Sequence, residues 1–248
     1  MLIVDNTEQL GMLRTMKLVL SLFPGIGMLD SAFEQVGFSV VRGPDSLWGG
    51  DVHTFHIPKG RFDGLIGGPP CQAHVRYARM NQKIGNCVAD DLIPEFQRLV
   101  AEACPEWFLM ENSSLAPDIS VDGYRVQSLL LSSALFGLEQ ERKRKFQFGH
   151  RGGLRLKVDI EPLVPQVLEK VCLASEGASG LISNARVNGK QKSFYRPRRS
   201  WSRFCELQGL PSSFLEDSPF TMSAKYLVVG NGVPIPMGKA LAKAIARL

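Results

Sequence analysis

Short apolar runs recur along the first 150 residues of the chain, and polar or amphipathic stretches separate them. The runs at residues 17–23, 38–41, 62–66 and 107–110 are four to seven residues long. Runs of this length, bounded by glycine, proline or charged residues, are typical of strands that are buried on both faces of a sheet. The pattern therefore predicts a sheet with these four runs as strands.

Helical periodicity appears between the apolar runs. After the first run, apolar positions three and four residues apart predict a helix that ends at Gly37. A second helix is predicted to begin at Asp90 or Asp91 and to stop before Pro105, and the apolar stretch 124–136 predicts a third. Strands that alternate with helices indicate an α/β fold with a doubly wound, mostly parallel sheet.

The alternation breaks down beyond Gly149. Residues 151–217 are rich in glycine, serine, proline and basic residues, and their periodicity is weak. Regular structure resumes at residues 226–229 and continues in a last helix that starts at Pro236. We therefore predict a main domain over residues 1–150, a small irregular lobe over 151–217, and a segment over 218–248 that returns to the main domain.

Composition excludes several classes of protein. The chain has 248 residues, of which 44% are hydrophobic and 21% are charged, as in ordinary globular proteins. Its five cysteines are far apart and form no Cys-x-x-Cys pair, so we predict neither a metal site nor a disulfide scaffold. No apolar run approaches 18 residues and no signal peptide is evident, which predicts a cytoplasmic protein without a membrane partner.

Positive charge is concentrated in one part of the chain. The net charge is +5, and no acidic residue occurs between Glu176 and Glu206. Basic and aromatic side chains alternate in that interval, as expected of a surface that faces phosphates and bases. A solvated basic loop is the alternative. The basic members are Arg186, Lys190, Lys192, Arg196, Arg198, Arg199 and Arg203, and the aromatic ones are Phe194, Tyr195, Trp201 and Phe204.

Cys71 is the strongest candidate for a reactive group. It follows the apolar run 62–66 and therefore lies at the carboxyl edge of the predicted sheet, where open α/β folds bind their ligands. Pro69 and Pro70 fix the backbone and force the chain to leave the sheet in a stiff turn, which presents the thiol. A small buried hydrophobic residue is the alternative, and this motif alone does not decide between the two.

Four further motifs also stand at predicted strand ends or turns. The glycine turn 23–27 precedes a helix, and Glu111 ends a buried strand, where a carboxylate is costly unless it has a partner or a function. The segment 140–144 would place Gln140, Arg142 and Arg144 on one face of an extended chain, and residues 230–234 form a turn before the last helix. Each has a purely structural alternative.

The order of these motifs resembles that of DNA (cytosine-5) methyltransferases. That family has Phe-x-Gly-x-Gly, Pro-Cys-Gln, Glu-Asn, Gln-x-Arg-x-Arg and Gly-Asn-Gly-Val-Pro in this sequence order, and residues 203–211 are similar to the segment that precedes its last motif. The resemblance covers residues 17–150 and 199–248. It implies the sheet of S-adenosylmethionine-dependent methyltransferases with a small target-recognition lobe, and double-stranded DNA as the substrate.

The resemblance also implies roles for individual residues. Cys71 would attack carbon 6 of a flipped cytosine, Glu111 would bind N3 and the amino group, and Arg142 and Arg144 would complete the catalytic group, with Arg142 lowering the pKa of the thiol. Residues implied to bind S-adenosylmethionine are Phe23, Gly25, Ile26, Gly27, Asp45, Asp51, Pro69, Asn231 and Val233. Those implied to bind the substrate are Pro70, Gln72, Asn112, Gln140, Arg198, Arg199 and Arg203.

The sequence departs from the family in several places, among them Pro24, Met28 and Ser113, where that family usually has other residues. A helix is missing between Asp45 and Asp51, the candidates for holding the ribose and the adenine. His74-Val75 replaces an aromatic-Ser pair, and the recognition lobe is short, which predicts a short target site or help from another protein.

Several functions therefore stay open. Methylation of transfer RNA and a catalytically impaired DNA-binding relative are the alternatives to DNA methylation, whereas the glycine spacing disfavours a nicotinamide oxidoreductase. We expect a monomer in the cytoplasm of a bacterial host, associated with the nucleoid and paired with a cognate restriction endonuclease if it belongs to such a system.

Overall fold

A six-stranded mixed sheet forms the centre of the computed structural model, which describes residues 17–71, 90–160, 168–179, 181–187 and 190–248. The strand order is β2-β1-β3-β4-β6-β5. The first four strands in this order are parallel, whereas β6 is antiparallel to both of its neighbours. The strands are β1 (Leu18–Leu22), β2 (Ser39–Arg42), β3 (Gly64–Gly67), β4 (Trp107–Asn112), β5 (Arg125–Ser132) and β6 (Lys143–His150). The predicted α/β fold with a mostly parallel sheet is confirmed.

Helices cover both faces of this sheet. The helices are α1 (Met28–Glu34), α2 (Ile93–Ala103), α3 (Glu176–Ser179), α4 (Trp201–Leu207), α5 (Met222–Asn231) and α6 (Ile235–Ala246). Helices α1 and α6 pack on one face, where Phe33 and Leu241 share a cluster with Val19 of β1. Helix α2 packs on the other face, where Phe96 meets Leu20 of β1. Successive strand residues thus supply opposite faces, as their alternation requires. No helix in the described part of the chain is long and apolar enough to cross a membrane.

The helix predicted over residues 124–136 is wrong. The chain there forms strand β5, which pairs with β6 along its whole length, and a 3₁₀ turn over Ser133–Leu135. Leu129 and Leu131 pack against the core while Leu130 is 60% exposed, so the exposure alternates with the period of a strand. The continuous apolar run conceals this period in the sequence, and the pairing with β6 decides the conformation.

Beyond β6 the chain forms a second, smaller cluster of elements. Strands β7 (Leu181–Val187) and β8 (Lys190–Arg196) form a separate two-stranded antiparallel sheet. Phe204 of α4 and Tyr226 of α5 pack together in a cluster that also contains Met28 of α1. The regular structure predicted at residues 226–229 is therefore part of a helix, and the predicted last helix is confirmed as α6.

Gly64 allows strands β3 and β4 to approach each other under a bulky side chain. A Cβ atom at Gly64 would lie 2.2 Å from Cζ2 of Trp107, which is paired with it across the strands. We expect Gly64→Ala to lower the free energy of unfolding in urea by about 1–3 kcal/mol, since the buried indole has no room to move.

A double-mutant cycle checks the cause of this loss. In a Trp107→Leu background the same Gly64→Ala change should cost clearly less, because the indole that blocks the new methyl group is gone. Equal losses in both backgrounds would show that the clash is not responsible.

Candidate active site

A cleft of about 400 Å³ opens at the carboxyl edge of β1, β3 and β4. This size is ordinary for a small-molecule site, and the position is the one at which open α/β sheets bind ligands. Twelve of the predicted site residues line it: Phe23, Gly25, Ile26, Asp45, Asp51, Pro69, Pro70, Cys71, Glu111, Arg144, Asn231 and Val233. Residues from both ends of the chain thus meet in one place. Among the described residues, no group of three or more histidine, cysteine or acidic side chains could hold a metal ion.

The glycine turn between β1 and α1 forms one wall of the cleft. Gly25 and Gly27 have φ angles of +56° and +78°, a left-handed conformation that glycine adopts without strain. Phe23 also has a positive φ of 56°, an uncommon conformation for a bulky side chain and one that is typical of functional turns. Gly27 does not line the cleft but caps the N-terminus of α1, where its N–H donates to the Pro24 carbonyl at 2.8 Å.

Asp45 ties the segment after β2 to this glycine turn. One oxygen of its carboxylate accepts from the Gly25 N–H at 2.7 Å and the other from the Leu47 N–H at 2.8 Å. The Trp48 indole N–H returns a hydrogen bond to the Gly25 carbonyl at 2.7 Å. A 3₁₀ turn over Ser46–Trp48 thus lies between Asp45 and Asp51, where the helix expected from the family is missing. Both aspartates line the cleft.

Glu111 and Arg144 form a buried ion pair at the base of the cleft. Arg144 Nε lies 2.7 Å from Glu111 Oε1, and the two side chains are only 19% and 11% exposed. The antiparallel register of β6 on β4 pairs Asn112 with Lys145, which brings Arg144 to the end of β4. Burial raises the pKa of the Glu111 carboxyl, and the positive charges of Arg144 and Arg142 offset only part of this effect. The carboxyl group therefore retains a proton to higher pH than an exposed glutamate does.

Cys71 stands next to this pair with a thiol that is harder to ionise than a free one. Burial raises the pKa of the Cys71 thiol, and the negative charge of Glu111 raises it further. The charges of Arg144 and Arg142 lower it, but by less. Arg142 thus lowers the pKa of the thiol as expected, but burial and Glu111 outweigh both arginines, so the pKa stays above that of a free thiol.

Asn112 braces the loop that carries the cysteine. Its side-chain amide donates to the Pro69 carbonyl at 3.0 Å, and its oxygen accepts from the Ser113 N–H at 2.7 Å. The residue is 1% exposed and does not line the cleft. Asn112, predicted to bind substrate, therefore holds the Pro69-Pro70-Cys71 segment against the end of β4.

Gln140 and Arg142 point into the protein rather than into the cleft. The Gln140 amide group donates to the Leu207 carbonyl and its oxygen accepts from the Cys172 N–H at 3.0 Å. Arg142 is 2% exposed, and its guanidinium donates to the backbone carbonyls of Cys172, Gly230 and Gly232. Neither side chain lines the cleft, so the roles of Gln140 in substrate binding and of Arg142 in catalysis stay predictions.

The arginines that follow β8 form ion pairs within the protein. Arg199 is paired with Glu169 and with the fully buried Glu176, at 3.5 and 3.6 Å. Arg203 is paired with Glu139, Glu169 and Glu206. Arg198 lies 5.6 Å from the centre of the Tyr226 ring. None of the three lines the cleft, so their predicted contact with DNA would have to occur elsewhere. Gln72 and the His74-Val75 pair lie outside the described residues.

Sequence reasoning missed a buried acid beside the glycine turn. Asp30 is 0% exposed, accepts from the Ser21 hydroxyl at 2.6 Å and from Arg42 Nε at 3.0 Å, and lies in the wall of the cleft. Burial raises the pKa of Asp30, whereas Ser21 and Arg42 lower it. A signal existed in the sequence, because Asp30 interrupts an otherwise apolar face of α1. The cleft residues Leu227 and Val228 of α5 carried no such signal.

The sequence is similar to known methyltransferases. The family model for C-5 cytosine-specific DNA methylases matches residues 49–171. Type II methyltransferase M.MthTI of Methanothermobacter thermautotrophicus is 31% identical over 184 residues, which cover 60% of this chain and 54% of the relative. Type II methyltransferase M.HgiDI of Herpetosiphon aurantiacus is 27% identical over 165 residues, which cover 54% of this chain and 52% of the relative. The chain spans about half the length of the curated relatives it matches.

Solved structures share the fold. The Entamoeba histolytica methyltransferase EhMeth superposes with a TM-score of 0.62 at 13% identity, covering 94% of this chain and 99% of that one. The S. pombe Dnmt2 methyltransferase does so with a TM-score of 0.58 at 14% identity, with the same coverage. These likenesses show the fold alone, whereas the residues matched by the family model include Asp51, Cys71, Glu111 and Arg144 of the cleft. The chain belongs to the C-5 cytosine-specific DNA methylase family.

Proposed function

We propose that the protein transfers a methyl group from S-adenosylmethionine to carbon 5 of cytosine in DNA. The observation that carries this proposal is the meeting of Cys71, Glu111 and Arg144 at one end of a cleft whose other walls come from the glycine turn and the 231–233 turn. A thiol, a proton-holding carboxyl group and a small-molecule site in one place are what this reaction requires.

The residues that line the cleft are of the types that can bind S-adenosylmethionine. The positive φ angles of Phe23 and Gly25 expose backbone groups to a ligand beside the N-terminus of α1. Asp45 and Asp51 offer carboxylate oxygens that can accept from ribose hydroxyl or adenine amino groups. Leu47, Leu227 and Val228 add apolar surface for a flat base. When bound, the donor supplies an electrophilic methyl group, and the protein's own residues prepare the cytosine.

The proposed chemistry begins at Cys71. Its sulfur forms a bond to carbon 6 of the cytosine, and the electron pair of the 5,6 double bond becomes available at carbon 5. Carbon 5 takes the methyl group, and S-adenosylhomocysteine leaves. Carbon 5 then gives its proton to water, the electron pair of that C–H bond restores the 5,6 double bond, and the sulfur departs as thiolate. Atoms and charge balance over the cycle, since one methyl group has replaced one proton.

Glu111 and Cys71 are complementary in this scheme. Attack at carbon 6 places negative charge on the ring, and a protonated Glu111 next to N3 would neutralise it. The raised pKa of Glu111 supports this role. A protonated Glu111 also removes one of the two causes that raise the pKa of the Cys71 thiol, so the two ionisations depend on each other. Arg144 would hold the carboxyl group in place through its 2.7 Å contact.

DNA must present the cytosine outside the helix, because carbon 6 cannot be reached within the base stack. We propose that the small lobe over residues 151–217 holds the flanking duplex, and that the basic stretch in β8 and the following residues contacts its phosphates. The Type II methyltransferase names of the relatives support a place in a restriction–modification system, with a cognate endonuclease as the functional partner.

Parallel assays of methyl transfer test the proposed function. We expect the purified protein to transfer label from S-adenosylmethionine to double-stranded DNA and not to transfer RNA. We also expect a covalent adduct with duplex DNA that contains 5-fluorocytosine, because fluorine at carbon 5 prevents the final elimination. Label in transfer RNA alone would replace the proposal with RNA methylation. Tight DNA binding without label or adduct would show a binding protein that lacks catalysis.

A further inference from the structure

Arg142 is a buried cation at a junction of three parts of the protein. It immediately precedes β6 and its backbone is fixed there, since its N–H donates to the Ser133 hydroxyl at 3.0 Å and its carbonyl accepts from the Ser133 N–H at 3.1 Å. One end of its guanidinium donates to the Cys172 carbonyl at 2.9 Å. The other end donates to the carbonyls of Gly230 and Gly232.

The three carbonyls belong to segments with different tasks. Gly230 and Gly232 flank Asn231, which lines the cleft proposed to hold the methyl donor. Cys172 lies in the segment that leads through α3 into strand β7 of the small lobe. Two residues after Arg142, Arg144 forms the ion pair with Glu111. The Arg142 guanidinium therefore connects residues 230–232, which border the cleft, to the segment that leads into the small lobe. It also lies close to the Glu111–Arg144 ion pair.

A charge is not the simplest way to fill this space. Arg142 has no carboxylate within ion-pair distance among the described residues, and its Nε has no hydrogen-bond partner there. Burial and the nearby charge of Arg144 lower the pKa of Arg142 to about 9. Well-packed apolar residues often stabilise an interior as much as buried charges do or more. What an apolar side chain cannot do is hold three separate carbonyls in fixed relative positions.

Hydrogen bonds also join α3 and Arg199, on either side of the β7–β8 sheet in sequence, to α5, which contributes residues to the cleft. The Arg199 N–H donates to Glu176 of α3 at 3.0 Å, and the Tyr226 hydroxyl of α5 donates to the Arg199 carbonyl at 2.6 Å. The Ser223 hydroxyl donates to the Gly177 carbonyl at 2.9 Å. These contacts join the segments before β7 and after β8 to α5. A shift of the small lobe would therefore displace the end of α5, where Asn231 lines the cleft.

We propose that Arg142 is a positioning residue that couples donor binding to DNA binding. The inference rests on the proposed function. A methyl donor that orders residues 230–232, at the end of α5, also orders the Gly230 and Gly232 carbonyls, and through Arg142 the Cys172 segment that leads into the small lobe. DNA that orders the lobe acts on the donor turn along the same contacts. By linkage, each ligand strengthens the other by the same factor.

Binding measurements with wild-type protein and two variants test this proposal. The probes are S-adenosylhomocysteine and sheared bacterial chromosomal DNA, in which a target of a few base pairs recurs many times. In the wild type, saturating S-adenosylhomocysteine should lower the Kd for DNA at least about fivefold. Saturating DNA should lower the Kd for S-adenosylhomocysteine by the same factor. In Arg142→Met and Arg142→Lys this factor should fall below about twofold, because neither side chain can span three carbonyls.

A neighbouring residue provides the matched control. Lys143 is half exposed and pairs only with Glu141 in the described structure, so Lys143→Met should keep the wild-type coupling factor. Variants that melt cooperatively and bind both ligands more weakly, but with an unchanged factor, would show that Arg142 is only structural. A wild-type factor of one would also overturn the inference. Absence of methyl transfer and of the 5-fluorocytosine adduct in the wild type would instead overturn the proposed function, whatever the coupling factor.

Discussion

Replacing Cys71 with serine is expected to lower methyl transfer to DNA by at least about 10⁴-fold. The hydroxyl group occupies nearly the same space but ionises far less readily, and it is a much weaker nucleophile than a thiolate. The surrounding burial and the Glu111 charge oppose ionisation further, as they already do for the thiol. Single-turnover transfer of labelled methyl groups measures the rate, and the adduct with 5-fluorocytosine DNA should disappear.

Cys104 supplies the control for this substitution. It is a partly exposed free cysteine at the end of α2, where its thiol donates to the Ala101 carbonyl at 3.2 Å. Cys104→Ser should transfer methyl groups at the wild-type rate. If Cys71→Ser kept more than about a hundredth of the wild-type rate, Cys71 would not be the nucleophile.

Glu111→Gln is expected to lower methyl transfer about 10²- to 10⁴-fold and to make Cys71 easier to ionise. The amide keeps the shape and hydrogen bonds of the carboxyl group but has no proton to transfer to N3. The Glu111 charge raises the pKa of the thiol, so its removal must lower that pKa. The charge of Arg144, no longer offset by a carboxylate, acts in the same direction. The midpoint of Cys71 alkylation by iodoacetamide should therefore move to lower pH.

The two readouts separate a catalytic role from general damage. The control is Glu141→Gln, which removes an exposed carboxylate that pairs with Lys143 and should change neither readout. A loss of transfer in Glu111→Gln without any shift of the alkylation midpoint would show that Glu111 does not act on the thiol electrostatically. A shift to higher pH would contradict the charge arrangement in the cleft. Alkylation of the Cys71→Ser variant, measured in parallel, gives the contribution of the other cysteines, which is then subtracted.

Local signals were enough to find the residues at the strand ends. Cys71 and Glu111 each follow an apolar run, and parallel strands bring their carboxyl ends to one edge, so adjacency in the sheet follows from the pattern. The glycine turn was also visible, because glycine is required where φ is positive. These features depend on a few consecutive residues and on the general geometry of α/β sheets.

Other features depend on partners that are distant in sequence. Alternation alone put Arg142 and Arg144 on one face, but Arg142 precedes β6 and its environment is set by the carbonyls of Cys172, Gly230 and Gly232. The basic stretch looked unpaired because Glu139 and Glu169 lie outside it, yet they neutralise Arg203. The sequence of β5 alone does not reveal a strand, because its conformation is decided by the pairing with β6. In each case tertiary contacts decide.

The reversed direction of β6 bears on how homologous genes can change in length. A slip of one residue in a strand exchanges its two faces, so a single-codon insertion or deletion just before Lys143 would take Arg144 away from Glu111. The connection after His150 leaves the opposite edge of the sheet, so a change of length beyond the buried Leu156 would not move Arg144. Alignments of this family should therefore show gaps beyond the position of Leu156, and an ungapped stretch between Ser133 and Arg144.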